Sequence, residues 1–493
     1  MKKWIVSVSM MACCHILFAQ LRTANIFGDH MVLQREKPIP VWGTASPGEK
    51  VTVSLNGASG STKASKTGEW RVLLPAMTKG GPHTMTVQGR ERVVLEDILI
   101  GEVWLCSGQS NMEWPLNNTD SAKRDIAEAG NPMVRHIKVP RRTSLTPKSE
   151  IAPAQWEVCT PETAGGFTAV GYHFAKELHA RLGVPVGLVN SSWGGTHVET
   201  WTSADAFFAE PAFAGLREKM PKDIPGAVAD GKAKAGDTAL GPNAYATLLY
   251  NAMIHPLVGM GLRGAIWYQG ESNAVRAGQY NTSFPLMITD WRRRWKEDFP
   301  FYFVQLANYR TTQNGTSQNG GAPWAELREA QDRTQRLTNT GMAVILDIGN
   351  SADIHPRNKR EVGRRLALQA LNKTYGLNVR CESPSFESMR IDGHRAVLTF
   401  RNTFGGLTVK NRYGYVNGFE LAGEDGVFRY AKAWLEDGRV VVSSEKVARP
   451  VSVRYAWADD PDDVNLFNSE GLPAAPFRTD DLPSRTKGVR FGQ

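Results

Sequence analysis

The stretch Glu102-Val103-Trp104-Leu105-Cys106-Ser107-Gly108-Gln109-Ser110-Asn111-Met112 joins an apolar, β-prone run to a serine in a glycine-flanked turn. Residues 102–106 read as a buried strand, and the polar segment that follows leaves its end. Working outward, strands and helices alternate. Val170, Phe174, Leu178 and Leu182 recur every four residues, which predicts an amphipathic helix stopped at Gly183. Further strands are expected at 184–190, 264–268, 301–307 and 342–347. Helices are expected at 280–295, 324–337 and 358–375, with another ending across 251–257. Such alternation predicts an α/β domain over residues 97–376: a parallel sheet with helices on both faces.

The flanks have a different texture. Residues 21–96 hold short β-prone runs, such as Val51-Thr52-Val53-Ser54-Leu55, divided by turn signals such as Asn56-Gly57. Short β-runs return over 378–493, for instance Val440-Val441-Val442-Ser443. We expect a β-sandwich-like domain on each side of the α/β domain. The polar, Gly-rich stretches 221–241 and 311–322 read as surface loops. No repeat at a fixed period is evident.

With 493 residues, 41% hydrophobic and 22% charged, the chain is globular in composition and long enough for several cores. Its formal net charge of +9 suits weak attraction to acidic sugars. Nucleic acid is not implied, because Arg292-Arg293-Arg294 is short and reads as a solvated helix face. Lys2 and Lys3, the apolar run from Trp4 to Phe18, and Ala19 read as a bacterial-type signal peptide over residues 1–19. The expected product is periplasmic or secreted. Met11-Ala12-Cys13 is a poor approximation to a lipid-attachment site, and no stretch is long and apolar enough to span a membrane. Beyond that segment only Cys106, Cys159 and Cys381 remain, too few for a disulfide framework. There is no CxxC, HExxH or GxxxxGK, so no metal, nucleotide or other cofactor is expected.

In parallel α/β sheets, ligands bind beyond the carboxyl ends of the strands. Four such ends here carry Ser107-Gly108-Gln109-Ser110, Ser191-Ser192-Trp193-Gly194-Gly195-Thr196, Gln269-Gly270-Glu271-Ser272-Asn273 and Asp353-Ile354-His355-Pro356. These residue types serve acyl transfer. A serine hydroxyl needs a neighbouring base, and histidine is suited to that task near neutral pH. Ser110 is the candidate nucleophile and His355 the candidate base. Asp353 is placed to orient the imidazole. An oxyanion needs preorganised donors, for which the Gly194-Gly195 backbone, the Asn273 amide and the Ser110 N–H are candidates. Each residue also has a plainer reading. Ser110 with Glu113 fits a capping box, His355 a structural histidine, Gly194-Gly195 an ordinary turn, and Glu271 a surface carboxylate.

Gly108-Gln109-Ser110-Asn111-Met112, Trp193-Gly194-Gly195-Thr196, Trp267-Tyr268-Gln269-Gly270-Glu271-Ser272-Asn273 and His355-Pro356-Arg357-Asn358-Lys359 together resemble the sialate O-acetylesterase family within the SGNH hydrolases. The resemblance runs from about Phe27 to Thr479 and includes Leu249-Tyr250-Asn251-Ala252-Met253-Ile254. It implies a three-layer α/β/α domain on a five-stranded Rossmann-like sheet, and a metal-free double displacement through an acetyl-Ser110 intermediate. It also implies Ser110 as nucleophile, His355 as base, Ser110 N–H and Gly195 as oxyanion donors, and Gln269, Glu271 and Asn273 as a third block. SGNH hydrolases usually carry Asp three residues before the histidine, where this chain has Ala352. The third member is therefore open between Asp353, Asp347, a backbone carbonyl and none at all.

The implied substrate is an O-acetylated sialic acid, with acetylated xylan or another polysaccharide as the alternative. Trp114, Trp193 and Trp324 are candidates for stacking on a sugar. A reading of another class makes the protein a carbohydrate-binding surface protein with an inert α/β domain; intact Ser110 and His355 speak against it.

Overall fold

A computed structural model describes residues 20–219, 241–310, 316–317 and 321–491. The signal peptide expected at 1–19 and most of the two expected surface loops lie outside the described residues.

Arg92–Gly108 (β1) shows why the opening stretch organises the chain. Residues 92–97 alternate between exposed and half-buried, and the eleven residues from Ile98 to Gly108 are all buried. The first half behaves as a strand with one wet face and the second as a strand covered on both faces. The strand crosses the domain boundary expected at 96–97 without a break, so an 11-stranded sheet runs through both regions. In the first half β1 pairs antiparallel with Gly80–Gln88. In the second it pairs parallel with Val186–Ser192 and Gly264–Tyr268.

The remaining strands of the α/β region are Asn131–Lys138 (β2), Trp156–Cys159 (β3), Val186–Ser192 (β4), Gly264–Tyr268 (β5), Phe301–Val304 (β6) and Thr340–Ala343 (β7), in the order β3-β2-β4-β1-β5-β6-β7. All neighbours are parallel except β3 on β2. The sheet thus has six parallel strands and an antiparallel edge, not the five strands expected. The two strands beyond the expectation are β2 and the edge strand β3; β2 contains Pro132, Arg135, His136 and Lys138, which break its apolar pattern.

Among the described residues four long helices pack on this sheet: Ala169–Leu182 (α1), Ala277–Trp295 (α2), Pro323–Thr334 (α3) and Lys359–Lys373 (α4). Trp104 is level with Gly264 and Ser107 with Trp267, so strand alternation sends the two tryptophans to opposite faces. Trp104 meets Phe174 of α1 at 5.0 Å, and Trp267 meets Trp291 of α2 at 5.9 Å. Each such aromatic pair contributes about 1 kcal/mol beyond its buried area. The segment expected to end a helix at 251–257 is a π-helical turn, Tyr250–Ile254, followed by a 3₁₀ turn, His255–Leu257.

Both flanks are anchored by buried charges. Midway along β1, where its pairing with the parallel strands begins, the Glu102 carboxylate, wholly buried, accepts from Arg35 Nε (2.5 Å), Arg263 Nε (2.6 Å) and Tyr375 Oη (2.9 Å). That set joins the N-terminal strands to the end of the α/β region. Arg328 of α3, also buried, donates to the Ala458 and Asp459 carbonyls at 2.7 and 2.8 Å and so holds the C-terminal strands. A buried ion without such partners would cost several kcal/mol. The C-terminal region contains two four-stranded sheets, one including Arg395–Arg401 and Arg439–Ser443, the other Phe419–Ala422 and Ser452–Tyr455. Cys106, Cys159 and Cys381 are buried and unpaired. Among the described residues no helix is long and apolar enough to cross a membrane.

Candidate active site

The site forms where β1, β4, β5 and β7 end. At the tip of β1 the chain must turn sharply against β5. Gly108 has φ +133°, and a Cβ there would lie 2.2 Å from the Tyr268 carbonyl oxygen, so only glycine fits. The turn delivers Ser110 as the first residue of a short helix, Ser110–Glu113. Gln109 occupies the N-cap position, and no side chain caps the helix. The capping-box reading of Ser110 therefore does not apply. Its Oγ lies 2.8 Å from His355 Nε2 instead, across 245 positions of sequence. With the imidazole proton on Nδ1, Ser110 donates to Nε2.

Trp114 lies on the His355 ring, with centroids 4.6 Å apart and planes 19° apart. The Arg357 guanidinium sits 5.1 Å from the same indole. Burial, then the Lys359 cation, push the His355 pKa below its ordinary value, against the opposing pull of Asp353. A lowered pKa keeps the imidazole neutral at neutral pH, the form a general base needs.

Asp353 stands close but does not hydrogen-bond the ring. Its Oδ1 is 3.7 Å from His355 Nδ1 and accepts the His355 backbone N–H at 2.9 Å. Desolvation raises the Asp353 pKa, but the His355 N–H and the Arg357 guanidinium outweigh it and leave the carboxyl below its ordinary range. Asp347, the other acid considered, forms a two-pronged ion pair with Arg365 at 2.6 and 2.8 Å. It is committed elsewhere.

Gly194 passes so close to the serine that a Cβ there would lie 3.2 Å from Ser110 Cβ. Its N–H donates to Glu113 Oε2 at 3.0 Å, and Glu113 is gripped by Arg141 at 2.8 and 2.5 Å. Gly195 follows with φ +74° and is exposed. Its carbonyl accepts from Asn243 Nδ2 at 2.6 Å. The Ser110 N–H opens its helix and has no helical acceptor.

The third block turns inward. Asn273 is wholly buried, and its Nδ2 donates to both Glu199 carboxylate oxygens at 3.1 and 3.0 Å. Its Oδ1 accepts from Val198 N (3.0 Å) and Gln269 Nε2 (2.6 Å). Gln269 Nε2 also donates to the Thr196 carbonyl at 3.0 Å. These two side chains brace the loop that carries Gly195; the Asn273 amide, expected as an oxyanion donor, is spent on Glu199. Glu271 is not a surface carboxylate: it accepts from Asn111 Nδ2 at 2.5 Å, and burial pushes its pKa up.

Asn111, Glu113, Arg141 and Lys359 also lie at the site, although the sequence singles out no catalytic role for them. Their types are common, and only the fold shows that Lys359, on a charged-looking helix, is fully buried. Of the three tryptophans, Trp114 and Trp193 are half-buried near Ser110 and Gly194, while Trp324 is buried. Among the described residues no group of three or more His, Cys, Asp or Glu is placed to hold a metal.

Residues 100–372 match the family described as carbohydrate esterase, sialic acid-specific acetylesterase, which places the protein among the ester hydrolases. The human sialate O-acetylesterase is 31% identical over 506 residues, covering 92% of each chain. The mouse sialate O-acetylesterase is 32% identical over 404 residues, covering 72% of this chain and 74% of its own. A carbohydrate acetylesterase from Xanthomonas citri, known from a crystal structure, superposes with a TM-score of 0.84 at 42% identity, covering 94% of this chain and 100% of its own. The chain belongs to the sialate O-acetylesterase family. Its reaction is the removal of O-acetyl groups from carbohydrate.

Proposed function

We propose that Ser110 is the nucleophile and His355 the general base of a double displacement, and the observation that carries this is the 2.8 Å contact between Ser110 Oγ and His355 Nε2. Ser110 Oγ attacks the acetyl carbonyl as its proton passes to Nε2. The bond from the acyl carbon to the sugar oxygen breaks, and the sugar leaves with that proton as its hydroxyl. Water, deprotonated by His355, then attacks the acetyl-Ser110 carbonyl; the acyl carbon–Oγ bond breaks, His355 returns the proton to Oγ, and acetic acid leaves and ionises to acetate. The Ser110 and Gly195 N–H groups are the oxyanion donors. Asp353, 3.7 Å from Nδ1, steadies the His355 loop, and the pair works essentially as a dyad.

The substrate we assign is an O-acetylated sialic acid. Two half-exposed cations lie near the serine, each also bound to a carboxylate: Arg357, on Asp353 and over Trp114, and Arg141, on Glu113 and over Trp193. That pairing suits a carboxylate-bearing sugar that can lie against an indole. The names of the human and mouse relatives agree with it, whereas the wider name of the Xanthomonas protein keeps acetylated polysaccharide as the second reading. We further assign residues 97–376 to an SGNH-type three-layer domain between β domains at 21–96 and 378–493, and an exported, periplasmic or secreted location.

Hydrolysis of p-nitrophenyl acetate by wild type, Ser110→Ala and His355→Ala tests the mechanism. Each variant should lose several orders of magnitude in kcat; equal rates for wild type and Ser110→Ala would refute it. Acetate release from acetylated sialic acids and from xylan fragments then separates the two substrates.

A further inference from the structure

Beneath the Ser110 turn lies a buried polar cluster that takes no bond-making step in the displacement above. Asn111 Nδ2 donates to Glu271 Oε1 (2.5 Å) and to the Ile354 carbonyl (3.0 Å). Its Oδ1 accepts from Lys359 Nζ at 2.5 Å. One amide thus ties together the ends of β1 and β5, the loop before His355, and the first turn of α4. Lys359 is wholly buried, and its ammonium lies 5.3 Å from the Tyr268 ring and 5.8 Å from the Trp114 ring. Glu271 Oε2 is buried and has no hydrogen-bond partner among the described residues. A buried amine and an incompletely satisfied buried carboxyl destabilise a fold unless they specify something else.

We propose that Lys359 and Glu271, joined through the Asn111 amide, are positioning residues that hold the Ser110 turn against the His355 loop. The proposal rests on the Ser110–His355 reading. Both bond Asn111, and neither bonds Ser110 or the His355 ring. Their effect passes through Asn111, which is adjacent to the nucleophile and bonded to the carbonyl immediately before the base. A displacement of about 1 Å between the two reacting groups costs on the order of 100-fold in rate.

The cluster also sets the charge around the base. His355 faces Ser110 and Trp114 from the β1 end, Asp353 and Arg357 from its own loop, and Lys359 from α4. Lys359 faces Glu271, Asp353, Arg357 and Asp120. Burial pulls the Lys359 pKa down to about 7, so it is mainly cationic on the acid side of neutrality, where it disfavours protonation of His355.

The test uses the full chain carrying Lys359→Met, Asn111→Ala or Ser110→Ala, with kcat and KM for p-nitrophenyl acetate measured across pH alongside thermal melts. Lys359→Met and Asn111→Ala should lower kcat about 10- to 100-fold per folded molecule, with KM little changed. Lys359→Met should also move the acid limb of kcat/KM to higher pH, because the cation that depressed His355 is gone. A lysine that only supports the fold would lower the melting point and leave both kcat and the acid limb in place; that result overturns the proposal. If Lys359→Met does not fold, Asn111→Ala decides by its kcat alone: a loss supports the proposal and a wild-type value overturns it. Full activity in Ser110→Ala would instead refute the nucleophile assignment. Loss in Ser110→Ala beside full activity in both other variants overturns only the positioning role.

Discussion

Trp114 and His355 lie face to face, 4.6 Å between ring centroids, although 241 positions separate them in the chain. The indole is fixed in turn by its Nε1–H, which donates to the Asn118 carbonyl at 3.0 Å. The ring that stacks on the imidazole therefore limits how far His355 can swing from Ser110. An aromatic pair of this kind contributes about 1 kcal/mol, so Trp114→Ala should lower kcat about fivefold, while Trp114→Phe keeps most of the activity. Steady-state kinetics of the two variants check this; equal kcat in Trp114→Ala and wild type would mean that the stack does not steady the base.

The pH profile has a fixed sign. His355 must be neutral to accept the Ser110 proton, so kcat/KM rises as pH passes through the pKa of the free enzyme's imidazole. Burial and the Lys359 cation lower that pKa. The acid limb should accordingly have its midpoint below the ordinary imidazole value of about 6.5. A midpoint at or above that value, from initial rates over a pH series, would contradict the assignment of His355 as a partly buried base.

The two aspartates near the base should behave differently. Asp353 Oδ1 lies outside hydrogen-bonding distance of Nδ1. Asp353→Asn should therefore lower kcat less than about tenfold, far short of the roughly 10⁴-fold seen when a hydrogen-bonded triad acid is neutralised. Asp347 instead pairs with the buried Arg365. Asp347→Asn should cost about 2 kcal/mol of stability and leave kcat per folded molecule unchanged. Denaturant melts and kinetics on both variants separate these outcomes.

The sequence made legible those parts that depend on local pattern. The run 102–106, the four-residue stripe of α1 and the Gly-flanked Ser110 turn all announce themselves through apolar spacing and glycine placement, and the strand ends then predict where chemistry gathers. Partnership was less legible, because contacts between distant segments leave little local trace. Gln269 and Asn273 have the right residue types for oxyanion donors, yet their hydrogen bonds go to Thr196, Val198 and Glu199 beneath the loop. Lys359 follows Asn358, which caps α4 by accepting from Glu361 N at 3.1 Å, and a lysine in a first helical turn ordinarily faces water. The strand β2 carries no clear apolar signature because Arg135 and His136 are buried in it, against the usual rule for such residues.

Gly194 and Gly195 provide a pair of substitutions that separate crowding from backbone strain. At Gly194 a new methyl would lie 3.2 Å from Ser110 Cβ and 3.6 Å from Glu113 Oε2, while φ there is not positive. Gly194→Ala should fold with nearly the wild-type melting point, because an L-residue tolerates that backbone. It should also push the nucleophile away from His355 and lower kcat about 10- to 100-fold. At Gly195 a methyl would meet no atom of the described residues within 4 Å, but φ is +74°, so Gly195→Ala should cost about 1–2 kcal/mol of local strain. That strain tilts the proposed oxyanion N–H without touching Ser110, so this variant should show both a lower melting point and a reduced kcat. Thermal melts paired with kinetics resolve the contrast. A wild-type kcat in Gly194→Ala would show that the Gly194 backbone does not confine Ser110, and would remove the steric reason for a glycine at that position.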